Sequence, residues 1–202
     1  ALSRMLIQLL LIGYLLAYIF ESDNAWVVVS VLIVMLLVSS WIALRATTTP
    51  RRTLYTRALC SILLGGGCTL IFMTQAVLRL DPWYLPSYMI PLAGMIFATA
   101  MNGVSLAAER FESEIERGGP YEKARNIALK AALIPITNSL FAVGLVFLPG
   151  LMTGQILSGV SPLIAARYQI MVMCMSFASA GLSSACFVAL LRSQTYNFVK
   201  RN

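Results

Sequence analysis

Residues 88–117 read YMIPLAGMIFATAMNGVSLAAERFESEIER, an apolar run that leads directly into a charged segment. A bilayer core of about 30 Å needs roughly 20 helical residues, so residues 88–108 are long enough to cross it as a helix. Glu109, Arg110, Glu112, Glu114, Glu116 and Arg117 follow at once, and Arg110 and Glu114 have the spacing of four that favours an ion pair on a helix. This stretch therefore predicts one helix that begins in a membrane and ends outside it.

Five further apolar runs lie along the chain, at residues 5–20, 25–44, 59–78, 131–148 and 162–191. Hydrophobic residues make up 59% of the chain and charged residues 11%, and the mean hydropathy is +0.81. These values are outside the range of ordinary soluble domains. We therefore predict an all-α, polytopic membrane protein with about six transmembrane helices, folded as a single domain over residues 1–202.

The positions of lysine and arginine predict the orientation of these helices, because cytoplasmic loops retain positive charge. An N-terminus inside places most of the basic residues in the cytoplasm, Lys200 and Arg201 included, and leaves Arg79 and Arg167 outside. Both termini of this chain are then cytoplasmic. The net charge of +7 reflects this topology, and its spread over separate loop ends does not favour nucleic-acid binding.

The sequence lacks residues that several classes of function need. The chain has no histidine, which excludes a His-containing metal site and a Ser-His-Asp triad. Its four cysteines, Cys60, Cys68, Cys174 and Cys186, lie in apolar runs without C-x-x-C spacing. The predicted spans carry no charge of the kind that ion-coupled carriers use, and no phosphate-binding loop is present. A transport function would therefore draw its energy from another subunit.

Residues 109–130 predict a cytoplasmic helical hairpin. Gly118 and Gly119 can end the first arm, Pro120 suits the first turn of the second, and the acidic first arm can pair with the basic second arm. One interpretation is a solvated hairpin without a partner. The other is a coupling element, whose tip docks into a partner through Gly118, Gly119, Pro120, Tyr121 and Glu122.

A second helix-breaking stretch, LPGLMTGQILSG, occupies residues 148–159. We expect Pro149 and Gly150 to end the fifth helix, a short bent segment to follow, and Ser161 and Pro162 to start the sixth helix. This segment is either a plain outer loop or the border of a substrate path; the candidate path residues are Asn102, Asn138, Met152, Thr153 and Gln155. Small residues at Gly94, Ala98 and Asn102, and at Gly181, Ala185 and Ala189, predict close helix packing.

The strings IPLAGMIFATAMNGVSLA (residues 90–107) and ALIPITNSLFAVGLVFLPGLMTGQILSGVSPLIAARYQIMVM (residues 132–173) resemble the FetB/YbbM family of ABC-transporter permeases. That family is in turn similar to plant permeases linked to aluminium tolerance. GGPYEKA (residues 118–124) looks like the short family segment at which an ATPase contact is expected. Relative to the family, we expect a helix before Leu2 and part of the inner loop before Gly118 to be missing.

The resemblance implies a permease subunit, active as a homodimer in a bacterial inner membrane. It would work by alternating access with a separate ATP-binding subunit that holds ATP and Mg, and would have no cofactor of its own. The implied cargo is iron or a related metal complex, for export, and the metal ligands are unknown. The alternatives are a nucleotide-sugar permease and a carrier or channel that needs no ATPase.

Overall fold

A computed structural model describes residues 2–20 and 24–199. The described chain is helical and contains no strand beyond a single bridge between Val143 and Phe147. Its helices are α1 (Leu2–Phe20), α2 (Ala25–Ala43), α3 (Arg51–Ile71), α4 (Pro86–Glu116), α5 (Tyr121–Ala142), α6 (Gly150–Leu157) and α7 (Pro162–Val199). A 3₁₀ turn, Leu44–Ala46, extends α2, and a π-helical segment, Phe72–Val77, extends α3. The all-α prediction is confirmed; Lys200 and Arg201 lie outside the described residues.

Four helical segments in the described chain have the length and hydropathy of membrane spans: Ala25–Ala46, Arg51–Val77, Pro86–Glu116 and Pro162–Arg192. Two of the six predicted spans fall short. The apolar part of α1, Met5–Phe20, is about 24 Å long at 1.5 Å per residue. The first turns of α5 are charged, and its apolar part after Lys130 extends only about 18 Å. Neither segment alone matches a hydrocarbon core of about 30 Å.

Large apolar side chains are exposed over much of the surface, as expected for helices in contact with lipid rather than water. Examples are Tyr14 on α1, Leu64 on α3 and Leu163 on α7. By contrast, several serines and threonines, among them Ser40, Ser61, Thr69, Ser179 and Ser183, are buried between the helices. This arrangement, apolar outside and small polar groups inside, is that of an integral membrane protein.

Helix α7 packs against α3, α4, α5 and α6, and α4 packs in addition against α2. The closest crossing of α7 is with α3, where a Cβ atom added to Gly65 would collide with the backbone N and the Oγ of Ser183. At the crossing with α4, a Cβ on Gly103 would lie 2.7 Å from Ser184 Oγ and 3.1 Å from Ala180 O. Glycine at both positions lets the helix backbones approach closely.

A buried hydrogen bond also joins α7 to α4, since Ser179 Oγ donates to Ile96 O at 2.8 Å. The predicted packing stripes are wrong in part: Ala98, Asn102, Ala185 and Ala189 are exposed. Gly94 and Gly181 do face neighbouring side chains, since a Cβ added to Gly94 would lie 3.4 Å from Met35 Cε and one added to Gly181 would lie 3.8 Å from Leu133 Cδ2. Periodicity identified small residues but not which face of each helix would be buried.

The fifth helix ends earlier than predicted. α5 stops at Ala142, Val143 is extended, and Gly144 takes a φ of +80° that directs the chain out of the helix. The segment after Pro149 is also not a bent coil, because Gly150–Leu157 forms the regular helix α6. The predicted start of α7 is confirmed: Pro162 is its first residue, and Ala165 N donates to Ser161 O at 3.0 Å.

Candidate functional site

The hairpin between α4 and α5 defines one end of the bundle, called here the hairpin end. After Glu116 the chain reverses through Gly118, whose φ is +79°. Gly118 N donates to Ile115 O at 2.9 Å and Gly119 N to Glu114 O at 3.0 Å, which satisfies two of the last carbonyls of α4. A Cβ on Gly119 would lie 2.9 Å from Glu114 O. The two glycines therefore end the helix as predicted.

Pro120 occupies a slightly different place from the one predicted. It is the N-cap of α5, in extended conformation, and not a residue of the first turn. Its carbonyl oxygen accepts the first helical hydrogen bond, from Ala124 N at 3.0 Å. The fixed φ of proline is compatible with both positions, so the sequence alone does not separate them.

The two arms of the hairpin are held together by rings and small residues. The rings of Phe111 and Tyr121 meet edge to face at 5.8 Å, and Ala124 and Ala128 are buried in the same interface. Tyr121 Oη also donates to Val188 O at 3.0 Å, which attaches the start of α5 to α7. The hairpin is therefore packed on the rest of the bundle and is not an isolated solvated loop.

The predicted pairing of acidic and basic arms is wrong. Both ion pairs found among the described residues belong to α4 and its C-cap, Arg117: Arg110 to Glu114 at 2.9 Å, at the predicted spacing of four, and Arg117 to Glu114 at 3.4 Å. The arms meet through apolar side chains, since a charged interface there would have to be desolvated. Glu114 is the buried acid of this group.

The five predicted coupling residues lie together at the tip of the hairpin, but they differ in exposure. Gly118, Pro120 and Glu122 are exposed, and Gly119 is half-buried. Tyr121 contacts Phe111 and α7, so its ring belongs to the interior of the hairpin. The surface that a partner could reach is thus formed by Gly118, Pro120 and Glu122, with the exposed Lys123 beside them.

Glu112 forms a contact that was not predicted. Its carboxylate accepts hydrogen bonds from Thr48 N at 2.8 Å, Thr48 Oγ1 at 3.1 Å and Thr49 N at 3.3 Å. Glu116 accepts a further bond from Thr48 Oγ1 at 3.2 Å. The loop between α2 and α3 is therefore bound to the charged extension of α4. The acidic stripe at 109, 112 and 116, on one helix face, was the sequence signal for such a partner.

Replacing Glu112 by alanine is expected to release this loop. The backbone amides of Thr48 and Thr49 lose their acceptor, while Thr48 Oγ1 keeps its hydrogen bond to Glu116. We expect these two amides to exchange with deuterium about tenfold faster, a loss of about 1.4 kcal/mol in this partly exposed site. Hydrogen exchange with mass spectrometry of the purified protein measures the effect. Glu109→Ala, on an exposed neighbour of the same stripe, is the matched control. Equal exchange in the two variants would contradict the proposed anchor.

The opposite end of the bundle, called here the far end, holds a cavity of about 300 Å³. It lies between the end of α5, the following turn, α6 and α7. Its lining residues are apolar with one exception, and they are Leu140, Val143, Gly144, Leu148, Met152, Ala166, Gln169, Ile170, Met173 and Cys174. Leu140, Leu148 and Ile170 are exposed, so the cavity is open to the surface of the bundle.

The candidate path residues do not all lie at this cavity. Met152 lines it. Thr153 and Gln155 are half-buried on α6, and Gln155 Oε1 is buried without a hydrogen-bond partner, but neither residue lines the cavity. Asn102 and Asn138 are exposed on α4 and α5. Their role in a path stays a prediction.

Gln169 is the polar exception in the cavity wall and was missed in the sequence. Its side chain is only 5% exposed, and its Oε1 is buried without a hydrogen-bond partner. The signal was present, because a carboxamide inside an otherwise apolar run is costly to bury in a membrane helix. Nothing in the run 162–191 indicates which face of α7 borders a cavity.

Comparison with known proteins decides the family. The pattern of an uncharacterised protein family, UPF0014, matches residues 1–122 and 119–196, and together these segments cover nearly the whole chain. The chain belongs to the UPF0014 family. The two matched segments overlap at residues 119–122, in the hairpin tip, so the family pattern covers the helices on both sides of the tip. No solved structure matches the chain.

Named members of UPF0014 are similar over most of their length. A UPF0014 membrane protein of Synechocystis is 34% identical over 210 residues, 96% of this chain and 81% of the relative. The probable iron export permease protein FetB of Escherichia coli is 31% identical, over 96% of this chain and 80% of its own. ALUMINUM SENSITIVE 3 of Arabidopsis thaliana is 33% identical, over 90% and 71%. The resemblance to the FetB family is confirmed.

The alignment with the Synechocystis member of UPF0014 is longer than this chain of 202 residues. The relative therefore carries residues within the aligned region that have no counterpart here. That the missing residues belong to the inner loop before Gly118, and that a helix precedes Leu2 in the family, stay predictions.

Proposed function

We propose that this chain is the permease subunit of an ABC transporter that exports iron or a related metal complex. A separate ATP-binding subunit would bind ATP and Mg and drive alternating access. In this proposal the chain lies in a bacterial inner membrane with the hairpin end and both of its termini in the cytoplasm. The similarity to a probable iron export permease supports a transporter rather than an enzyme.

The observation that carries the proposal is the construction of the hairpin. Its tip extends beyond the apolar part of α4, and Tyr121, at the start of α5, attaches the tip to α7 through the hydrogen bond to Val188. α7 in turn packs on α3, α4 and α6. A force applied at the tip would therefore reach α7 and, through α7, the far end of the bundle, which is what a coupling element requires.

The form of the cargo follows from the donor groups. The described part of the chain holds no group of three or more His, Cys, Asp or Glu side chains that could bind a metal ion. A hard ferric ion prefers oxygen ligands, so we propose that iron would travel as a complex whose own ligands fill its coordination sphere. Half-buried methionines of the cavity wall, Met152 and Met173, would then contact the organic part of the complex.

A homodimer would cover part of the exposed apolar surface. The side chains of Leu145, Val146 and Leu157, around α6, are 88%, 81% and 83% exposed. Such a surface is compatible with lipid, and it also offers the apolar area that a subunit interface needs. We propose that two copies assemble side by side within the membrane through this apolar surface. Each copy would present its hairpin tip to an ATP-binding subunit.

The proposal is tested with the native ABC ATP-binding subunit co-expressed with this chain. We expect the two proteins to purify together and to support ATP-dependent accumulation of an iron chelate in inverted membrane vesicles. Vesicles without the ATP-binding subunit are the control. Uptake of a nucleotide sugar but not of iron chelates would identify a nucleotide sugar as the cargo. Transport without ATP or without the ATP-binding subunit would exclude the ABC mechanism.

A further inference from the structure

We infer that an arginine cluster, Arg45, Arg51 and Arg52, where α2 connects to α3, is a binding site for an anionic diacyl phospholipid. The lipid belongs to the membrane leaflet at the hairpin end. Its phosphate is bound by the three arginines, and its acyl chains lie along the exposed faces of α2 and α3. The inference concerns a lipid ligand of this chain and depends neither on an ATP-binding partner nor on a cargo.

The first argument is the depth of the connection between α2 and α3 relative to the bilayer. Thr48 and Thr49 of this connection donate hydrogen bonds to Glu112, which lies four residues beyond Ala108, the end of the apolar run in α4. Four helical residues span about 6 Å. The headgroup layer on each side of the hydrocarbon core is about 5–8 Å thick. The connection therefore lies at the level of the lipid headgroups.

The second argument is that the arginine cluster has no acidic partner. Arg45 and Arg52 are exposed and Arg51 is half-buried, and residues 44–52 contain no Asp or Glu. Glu112 and Glu116 contact the same connection, but they accept hydrogen bonds from its threonines, and neither forms an ion pair with an arginine of the described chain. A lipid phosphate supplies the missing charge, and guanidinium groups bind phosphate through paired hydrogen bonds.

Arg51 is held in place for this contact by two aromatic rings. Its Cζ lies 5.5 Å from the centroid of the Trp41 ring, within the range of a cation–π interaction. Trp41 meets Tyr55 edge to face at 5.9 Å, and Tyr55 Oη donates to Leu37 O at 3.2 Å. Tryptophan and tyrosine are also the residues typical of the headgroup level. A guanidinium that is ordered before the lipid arrives loses less conformational entropy on binding.

Exposed faces of both helices lead into the bilayer from these arginines. Each face is a stripe at spacings of three and four residues, formed by Val34, Val38 and Trp41 on α2 and by Thr56, Leu59 and Leu63 on α3. Arg45 follows the first stripe by four residues, and Arg52 precedes the second by four. Because α2 and α3 pack together, both stripes start at the same level. A soluble anion would use only the arginines, whereas a phospholipid uses the stripes as well.

The charge of the cluster selects among phospholipids. Phosphatidylcholine and phosphatidylglycerol both carry a phosphate, but the choline group places a cation beside three arginines, and like charges repel. Phosphatidylglycerol has no such cation. We therefore expect the site to prefer phosphatidylglycerol to phosphatidylcholine when the acyl chains are the same.

The experiment uses Trp41 as a reporter of the lipid in contact with it. The other two tryptophans of the chain, Trp26 and Trp83, are exposed and are replaced by phenylalanine. The protein is reconstituted in mixtures of the two lipids, one of which carries bromine near the glycerol end of its acyl chains. Quenching of the Trp41 fluorescence gives the relative occupancy of the site. We expect at least a tenfold preference for phosphatidylglycerol; equal quenching by the two brominated lipids would overturn the site.

Two variants and a matched control test the arginines. Arg45→Gln and Arg52→Gln are each expected to lower the preference about fivefold, while Arg51 is kept because it contacts the reporter ring. Arg192→Gln removes an exposed charge from α7 and should leave the preference unchanged. An equal loss in all three variants, or no loss in any, would overturn the assignment to this cluster.

Inorganic phosphate distinguishes a lipid headgroup from a free anion. It shares the charge of the phospholipid but has no acyl chains, so an excess at constant ionic strength should leave the preference for phosphatidylglycerol intact. Loss of the preference in phosphate would show that the arginines bind a soluble anion, and would overturn the lipid as the ligand.

Discussion

Gly65→Ala is expected to disrupt the packing of α3 against α7 and to give the largest loss of stability among single methyl additions in this bundle. A Cβ atom at this position would meet the backbone N of Ser183 as well as its Oγ. A side chain can rotate away, but a helix backbone can move only if the whole crossing opens. Overpacking of this kind costs about 1–3 kcal/mol, or more where the backbone must shift.

The matched control is Gly67→Ala, two residues further along the same helix. There the added Cβ would make an ordinary contact of 3.7 Å with Leu63 Cδ1. Because alanine has the better helix propensity, this variant should be neutral or slightly stabilised. Thermal unfolding in detergent, followed by size-exclusion chromatography, compares the two. Equal melting temperatures for both variants would show that the crossing is looser than described.

The second large effect is expected for Glu122→Lys. Glu122 is the exposed acid at the hairpin tip, in the first turn of α5. If a partner contacts the tip, reversal of this charge changes every electrostatic contact there, and we expect at least a tenfold loss of ATP-driven transport. If a separate subunit holds the nucleotide site, as proposed, its ATPase activity should persist. Transport and ATP hydrolysis measured on the same vesicles separate coupling from activity.

Charge reversal at Glu109 supplies the control for this experiment. Glu109 is equally exposed but lies nine residues before the first glycine of the tip, about 13 Å along the helix axis. Glu109→Lys makes the same change of charge as Glu122→Lys. It should nevertheless leave transport unchanged. A comparable loss in both variants would place the partner along the arm rather than at the tip. Normal coupling in Glu122→Lys would contradict the docking of the tip.

Local features of the sequence were sufficient for several elements of the fold. Apolar runs near the length of a bilayer predicted α2, α3, α4 and α7, because burial in lipid depends on composition and length alone. Gly118 and Gly119 predicted the end of α4, since a reversal there requires backbone geometry that glycine supplies. Ser161 and Pro162 predicted the start of α7 for the same kind of local reason.

The errors concern features that depend on neighbours in space. Gly144, and not Pro149, lies where the chain leaves α5, and the segment after Pro149 is a helix in contact with α7. The acidic residues of α4 were expected to pair with α5. Glu112 instead accepts hydrogen bonds from the backbone amides of Thr48 and Thr49, more than sixty positions earlier in the chain. No local pattern contains such a contact.

The sequence by itself determined that this protein is a helical membrane protein with a glycine-ended hairpin, because hydropathy, length and backbone preference are properties of short segments. Only the tertiary structure decided which small residues touch, since Gly65 and Gly103 are buried at helix crossings while Ala98 and Ala185 face outward. It also placed Gln169 in the wall of a cavity. The physical reason is that the buried face of a uniformly apolar helix is set by the shapes of its neighbours and not by its own periodicity.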